Sequence, residues 1–356
     1  MNRLQEVEFK HNQVRALLDQ RQSGGLWLRR TRNIAWITAG GDASISVENE
    51  SGMYSVLITR EKRAIYTSNI ELTRLQGEEP FAELGFEYAE SPWHSRKFPD
   101  MPGLLTDDGE VEAELNRLRR KLTAGEQARY RALGIDTAAA LDEAIRAVQP
   151  GDTEFEMAAR LDAACKRRGG LATVNLVGTD ERISRYRHPL ATRKRLEKYA
   201  MIVVCMRRGG LIAAATRLAH FGPLSAELTE KMHRIAAIDA AVIAASYPGR
   251  TLGAVFADLQ AAYAAQGEAE QWRLHHQGGL IGYLGREVTV TPGDKTPLEN
   301  GHACAWNPSI VGCKSEDTIL VMDSGTEILT AAPDGWPMLA VTINGKVIHR
   351  PAILEL

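Results

Sequence analysis

Cysteine is scarce in this chain: four residues in 356, Cys165, Cys205, Cys304 and Cys313. None pairs at the short spacing of a zinc ribbon, and so few thiols do not make a disulfide framework, so a reducing compartment is expected. Charge of one sign is also missing, because 43 Lys and Arg against 45 Asp and Glu leave a formal charge of −2. That balance gives no footprint for nucleic acid or an anionic membrane, and neither is expected as a partner. The basic run Arg117-Leu118-Arg119-Arg120-Lys121 lies on a helical pattern and reads as a solvated face. No apolar run approaches the length of a membrane span, the longest candidate being the strand-sized Ala200 to Met206. Met1 to Gln20 carries no apolar leader core, and a cytoplasmic protein is expected. Gly-x-Ser-x-Gly, P-loop, Gly-x-Gly-x-x-Gly and His-Glu-x-x-His signatures are absent as well, which argues against serine-hydrolase, nucleotide-binding and zincin chemistry.

What the sequence does contain is ordinary globular material, 44% hydrophobic and 25% charged, in a chain long enough for two domains. Residues 4–20 have the pattern of an amphipathic helix, and 25–29, 33–40, 54–60 and 63–68 read as short strands separated by turn residues. A small α/β domain over residues 1–112 is expected, closing in the Pro- and Gly-rich stretch SPWHSRKFPDMPG. From residue 113 to 356, long Ala/Leu/Glu/Arg helices alternate with β-type segments.

This second region repeats itself. Residues 144–170 align without gaps on residues 242–268, placing Pro150, Gly151, Thr153, Leu161 and Gly169 on Pro248, Gly249, Thr251, Leu259 and Gly267. Each copy reads as helix, Pro-Gly turn, capping Thr, second helix and terminal Gly. A weaker echo sets LEKYAMIVV (196–204) on LENGHACAW (298–306). Two such halves predict one α+β domain with pseudo-twofold symmetry and a site in the cleft between its halves.

A duplicated domain of this kind behind a smaller α/β domain resembles the creatinase/aminopeptidase P superfamily, the "pita-bread" proteins that also include prolidases and methionine aminopeptidases. Members of that superfamily hold two divalent ions through two Asp, one His and two Glu. GGLIAAATR (209–217) resembles the run that carries the second Asp and keeps Gly210, Thr216 and Arg217. Ala214 stands at the Asp position, and Val203 stands where the first Asp belongs. HHQGGLIGYLGRE (275–287) keeps His275, Gly278 and Gly282 of the histidine motif, with Gly279 in place of the ligand. AWNPS (305–309) has Asn307 for one Glu, and SEDTILV (315–321) keeps the other as Glu316. Val, Ala and Gly offer no lone pair and Asn only a neutral oxygen, so no bound metal and no cofactor is expected. A substitute centre from His275, His276, Cys205 and Cys304 has no standard ligand spacing; buried thiols and structural histidines are the plainer reading.

Creatinase is the member of that superfamily that hydrolyses a C–N bond without metal. RYRHPLATRK (185–194) resembles its histidine loop, one residue shorter, with His188 before Thr192-Arg193-Lys194. The resemblance implies His188 as general acid/base and Glu316 as a carboxylate that grips a substrate ammonium or guanidinium. It also implies that His275 lines the cleft and polarises a carbonyl, Arg217 or an Arg of the N-terminal domain holds a substrate carboxylate, and Thr216 and Asn307 complete the substrate pocket. Thr216 stands where creatinase carries a glutamate, which counts against creatine itself. On the residues alone, His188 also reads as an exposed loop histidine, Glu316 as a partner of Arg217 or another basic residue, and His275 and His276 as structural. The expected activity is metal-independent hydrolysis of a small guanidino, amide or betaine-like compound by a homodimer. The alternatives are a Xaa-Pro aminopeptidase or prolidase using two metals, and a non-catalytic binding domain.

Overall fold

The computed structural model describes residues 1–109 and 111–356, which form two compact units. The first comprises Met1–Ala128 with Gly209–Leu211, and the second Arg129–Arg208 with Ile212–Leu356. In the first unit, helix Arg3–Arg21 opens with a reciprocal capping box between Asn2 and Gln5. A five-stranded mixed sheet runs in the order Phe86–Ser91, Arg63–Ser68, Ser51–Thr59, Gly25–Arg30, Leu105–Thr106.

Residues 33–40 do not form the expected strand; Thr31–Ile37 is a helix. Its apolar run Ile34-Ala35-Trp36-Ile37 is buried throughout, and an apolar run that short has the same pattern in a buried helix as in a buried strand. The unit also extends past residue 112. Helix Glu112–Arg120 supplies Arg119, which is fully buried and bonds to Asn33 and Glu112. The side chain of Glu126 meets the buried ammonium of Lys10 at 2.7 Å. The basic run at 117–121 is therefore not wholly a solvated face, since Arg119 serves the core.

The second unit has the α+β build expected, with the sequence repeat visible in its hydrogen bonds. Thr153 caps helix Glu154–Arg167 and Thr251 caps helix Leu252–Ala265. Before each cap the turn glycine takes a positive φ, 94° at Gly151 and 90° at Gly249, a conformation open to glycine at little cost. Gly151 donates to the carbonyl of Leu196 at 2.7 Å, and Gly249 to that of Leu298 at 2.9 Å. Leu196 and Leu298 donate back to Asp152 and Arg250. The two halves thus share one wiring scheme.

Each half carries a sheet. One runs Leu354–Glu355, Leu211–His220, Tyr199–Arg208, Leu171–Thr179; the other runs Val288–Thr289, Gly278–Ile281, His302–Trp306, Asp317–Val321, Glu327–Ile328. Thr318 stitches them together, accepting from the amide of Ala214 at 2.7 Å and donating to its carbonyl at 2.9 Å. Beneath lies a core containing Val203, Val255, Phe256, Leu259, Cys304, Trp306 and Ile319. No described helix is long and apolar enough to cross a membrane.

All four cysteines are free and buried. Burial pushes the thiols up, Cys165 and Cys205 to about 11 and Cys304 and Cys313 to about 12, so thiolate is scarce at neutral pH. Ellman's reagent is expected to label none of them in the folded protein and all four after unfolding in guanidinium. Rapid labelling of any one before unfolding counts against this core packing.

Candidate functional site

Loop 186–198 carries His188, and two carboxylates hold it in place, the buried Glu154 and the half-buried Asp180. Glu154, in the first turn of its helix, accepts from the amide and hydroxyl of Thr179, from Arg182, and from the amide and hydroxyl of Thr192 at 2.9 and 2.6 Å. Asp180 accepts from the amides of Glu197, Lys198 and Tyr199, each at 2.9 Å. Arg187, next to His188, ties the start of the loop to the side chain of Gln271 at 2.6 Å. A loop pinned this way presents His188 on fixed backbone.

His188 meets His275 with Nε2 atoms 2.9 Å apart, and His276 stacks on His275 with ring centroids 4.5 Å apart. The three rings form one cluster whose donor atoms lie within 4.8 Å of one another. His275 follows the short helix Gln271–Leu274 with extended backbone. Burial, followed by the positive charge of Lys314, lowers His275 to about 2. His188 and His276 are lowered in the same direction, again by desolvation first. All three imidazoles are therefore neutral at neutral pH, the form that can accept a proton.

Beside the rings is a buried charge cluster. Lys314 Nζ lies 2.7 Å from one oxygen of Glu316, Arg286 lies 3.3 Å from the other, and the hydroxyl of Thr216 donates at 2.7 Å. Glu316 and Lys314 are only 2% and 5% exposed. Burial alone would raise the Glu316 carboxyl; Lys314 and Arg286 outweigh it and hold the group down at about 2. Glu316 is therefore not the free carboxylate expected to grip a substrate cation, since two cations of the chain already neutralise it. Lys314 was legible only through spacing: two residues before Glu316, it shares that residue's face of an extended segment.

Arg217 does not face the site. Its Nη2 meets Asp317 at 3.0 Å and the carbonyl of Thr330 at 2.7 Å, and its Nη1 meets the carbonyl of Thr216 at 2.8 Å. Asp317 also pairs with Arg350, which bonds to Asp239. With both terminal nitrogens engaged in this buried network, Arg217 holds two strands together and has nothing left for a substrate carboxylate. The carboxylate of Glu316 pairs with other basic residues, Lys314 and Arg286, in keeping with its structural reading. Asn307 is buried at the end of strand His302–Trp306, its amide bonded to the carbonyl of Gln277. Its side-chain Oδ1 has no partner among the described residues.

The positions assigned to a two-ion centre do not fit one. Val203 and Ala214 are packed in the core at 3% and 0% exposure. Gly279 has φ +141°, and a Cβ built there would lie 2.1 Å from the carbonyl oxygen of Val288. Even the side chain's first atom has no room, so a histidine is excluded at this backbone. The single retained carboxylate carries a lysine ammonium instead of an ion. Cys205 and Cys304 do not join the histidines as a substitute donor set: among the described residues the cluster comprises His188, His275 and His276.

The model of metallopeptidase family M24 matches residues 128–323. No curated protein matches the sequence. Among solved structures, the prolidase of Pyrococcus horikoshii superposes with TM-score 0.75 at 18% identity, over 92% of this chain and 99% of that one. The Xaa-Pro dipeptidase of Bacillus anthracis gives 0.74 at 16%, over 98% and 100%. The N-terminal domain of the FACT complex subunit SPT16 from chickpea gives 0.67 at 11%, over 93% and 96%. At these identities the likeness is one of fold.

Proposed function

Because the chain belongs to metallopeptidase family M24 yet lacks the donors for a two-ion centre, we propose that it hydrolyses a C–N bond of a small nitrogenous compound with its own side chains. The observation that carries this reading is the contact between His188 and His275, 2.9 Å between Nε2 atoms, on a pinned loop beside a cationic cluster. Neutral His188 takes the proton of an attacking water and returns it to the leaving nitrogen. His275 shares a proton with His188 and fixes its ring. Arg286, partly exposed, keeps its terminal nitrogens on the carbonyl of Gly285 and on Glu316, but with Lys314 it leaves the cluster net positive, so the preferred compound carries a carboxylate. That favours N-acyl amino acids, guanidino acids or betaines over simple amines. Glu316 and Thr216 act by holding Lys314 and Arg286 in place rather than by touching the reacting atoms.

A prolidase-type activity is suggested by what two of the similar structures are called, Xaa-Pro dipeptidase and prolidase, and the residues at the ligand positions oppose it. The chickpea structure marks a third reading, binding without catalysis. The expected homodimer in a reducing, cytoplasmic setting belongs to the same proposal, and sedimentation velocity of the purified chain tests the dimer.

The deciding experiment screens chelator-treated protein against N-acyl amino acids, guanidino acids and betaines. Turnover is expected without added metal, and His188→Ala is expected to lower kcat by about 10²–10⁴-fold while circular dichroism stays unchanged. Full turnover by that variant removes His188 from the chemistry. Cleavage of a Xaa-Pro dipeptide only after Mn²⁺ is restored favours the metallopeptidase.

A further inference from the structure

We infer that His188, His275 and His276 form a three-nitrogen site for one borderline transition-metal ion, Zn²⁺, Ni²⁺ or Co²⁺, and that occupation of this site switches the enzyme off. The site is distinct from the family's two-ion centre, whose donors are missing here. The inhibitory half of the inference rests on the catalytic reading of His188; the binding half does not.

The geometry is close to what such an ion needs. Tetrahedral Zn²⁺ with Zn–N bonds of about 2.0–2.1 Å sets its nitrogen donors roughly 3.3 Å apart. Here one pair stands at 2.9 Å and the whole set lies within 4.8 Å, a spread that rotation of exposed rings closes. His188 and His276 are exposed and His275 is half-buried, so an ion reaches the cluster from solvent and finds an open fourth position. The backbone is already fixed on both sides, by Glu154 and Asp180 around His188 and by Gln277 beside the other two. Gln277 donates to the carbonyls of Trp272 and His275 at 3.1 and 2.6 Å.

The empty cluster is also incompletely bonded. Two neutral imidazoles facing through Nε2 share a single proton, and Nδ1 of His275 is buried with no partner among the described residues. An ion replaces one shared proton with two or three donor bonds. All-nitrogen donors select Zn²⁺, Ni²⁺, Co²⁺ and Cu²⁺ over Mg²⁺ and Ca²⁺, which take oxygen. The neighbouring Lys314 and Arg286, only partly offset by Glu316, weaken the ion's hold and make it reversible. An ion on His188 takes the lone pair that the reaction needs for water's proton, so metal inhibits where in related enzymes it activates.

The test uses the full chain, stripped with chelator and dialysed. Titration calorimetry with ZnCl₂ and NiCl₂ is expected to show one ion per chain, and CoCl₂ to give the visible bands of nitrogen-bound Co²⁺; MgCl₂ gives nothing. His188→Ala and His276→Ala, both at exposed positions, are expected to weaken Zn²⁺ by at least the roughly 10–100-fold that loss of an outer-shell partner alone costs. Zn²⁺ at saturating concentration is expected to abolish turnover of whichever substrate the screen identifies, and chelator to restore it. Absence of Zn²⁺ binding, or equal binding by wild type and the His188→Ala/His276→Ala double variant, overturns the site and leaves the catalytic reading standing. Stoichiometric binding that leaves turnover unchanged overturns the inhibition, and with it the role of His188 as base.

Discussion

Removal of the Glu316 carboxylate, as in Glu316→Ala, is expected to destabilise the chain by about 3–5 kcal/mol, the usual consequence of stranding a buried charge. The stranded groups are Lys314, 5% exposed, and the guanidinium of Arg286, both of which lose their counter-ion. Water does not reach Lys314 readily enough to replace it. Glu316→Gln separates charge from volume: it keeps the bond from Thr216 but not the ion pairs, and its loss at neutral pH should approach that of the alanine. The pH dependence follows from the direction of the shift. In the folded chain the carboxyl is held at about 2 against an ordinary value of 4.5, so it binds fewer protons folded than unfolded. Its contribution is present in full above about 4.5 and disappears as the pH falls through 2. Urea denaturation of wild type and Glu316→Gln should therefore diverge at pH 7, draw together as the pH falls below about 4.5, and converge only at about pH 2 and below. A gap under ~1 kcal/mol at pH 7 contradicts the ion-pair geometry. A double change of Lys314→Met with Glu316→Leu should recover part of the loss, because a packed apolar pair of similar size removes both desolvation penalties.

How much of this is legible in the sequence varies with how local the cause is. The Pro-Gly-x-Thr turns announce themselves because each residue there has one physical role: Gly151 and Gly249 take a positive φ, and Thr153 and Thr251 cap helices. The missing ligands are legible for the same reason, since Val203, Ala214 and Gly279 carry no donor atom in any fold. Partners set by tertiary contact are not. Arg217 reads as available for a substrate carboxylate, but Asp317 and Thr330 take it up inside the core. Glu316 reads equally as a grip for a substrate cation and as the partner of some basic residue, and only the fold selects Lys314 and Arg286 for it. The helix at Thr31–Ile37 is hidden because a fully buried apolar run has no polar face to set its period. In the sequence His276 is only a neighbour of His275; that its ring stacks there beside His188 depends on a loop some 90 residues earlier in the chain.

Rebuilding the family's two-ion centre is expected to fail at one residue before any metal is offered. Gly279→Ala should cost more than about 3 kcal/mol, and Gly279→His should leave little soluble protein, because both demand a Cβ where none fits. The residue lies in the strand Gly278–Ile281, paired on one side with Thr289 and on the other with Ala305. Its φ of +141° is open to glycine but to almost no L side chain, and the Cβ would stand 2.1 Å from the oxygen of Val288 and 3.0 Å from the nitrogen of Val290. Both contacts are backbone atoms of the neighbouring segment, so no rotamer change relieves them; the strand would have to leave its neighbour. Val203→Asp, Ala214→Asp and Asn307→Glu, made together with Gly279 left intact, should yield at best a protein that still binds no pair of Mn²⁺ ions in equilibrium dialysis. They put bare carboxylates into the packed core where Val203 and Ala214 now sit and supply no imidazole. A Gly279→Ala variant within ~1 kcal/mol of wild type by urea denaturation would show that the strand can re-form around a side chain. Short of that result, the backbone at Gly279 bars a histidine as firmly as Val203 and Ala214 lack donor side chains, and the ammonium of Lys314 pairs with the carboxylate of Glu316.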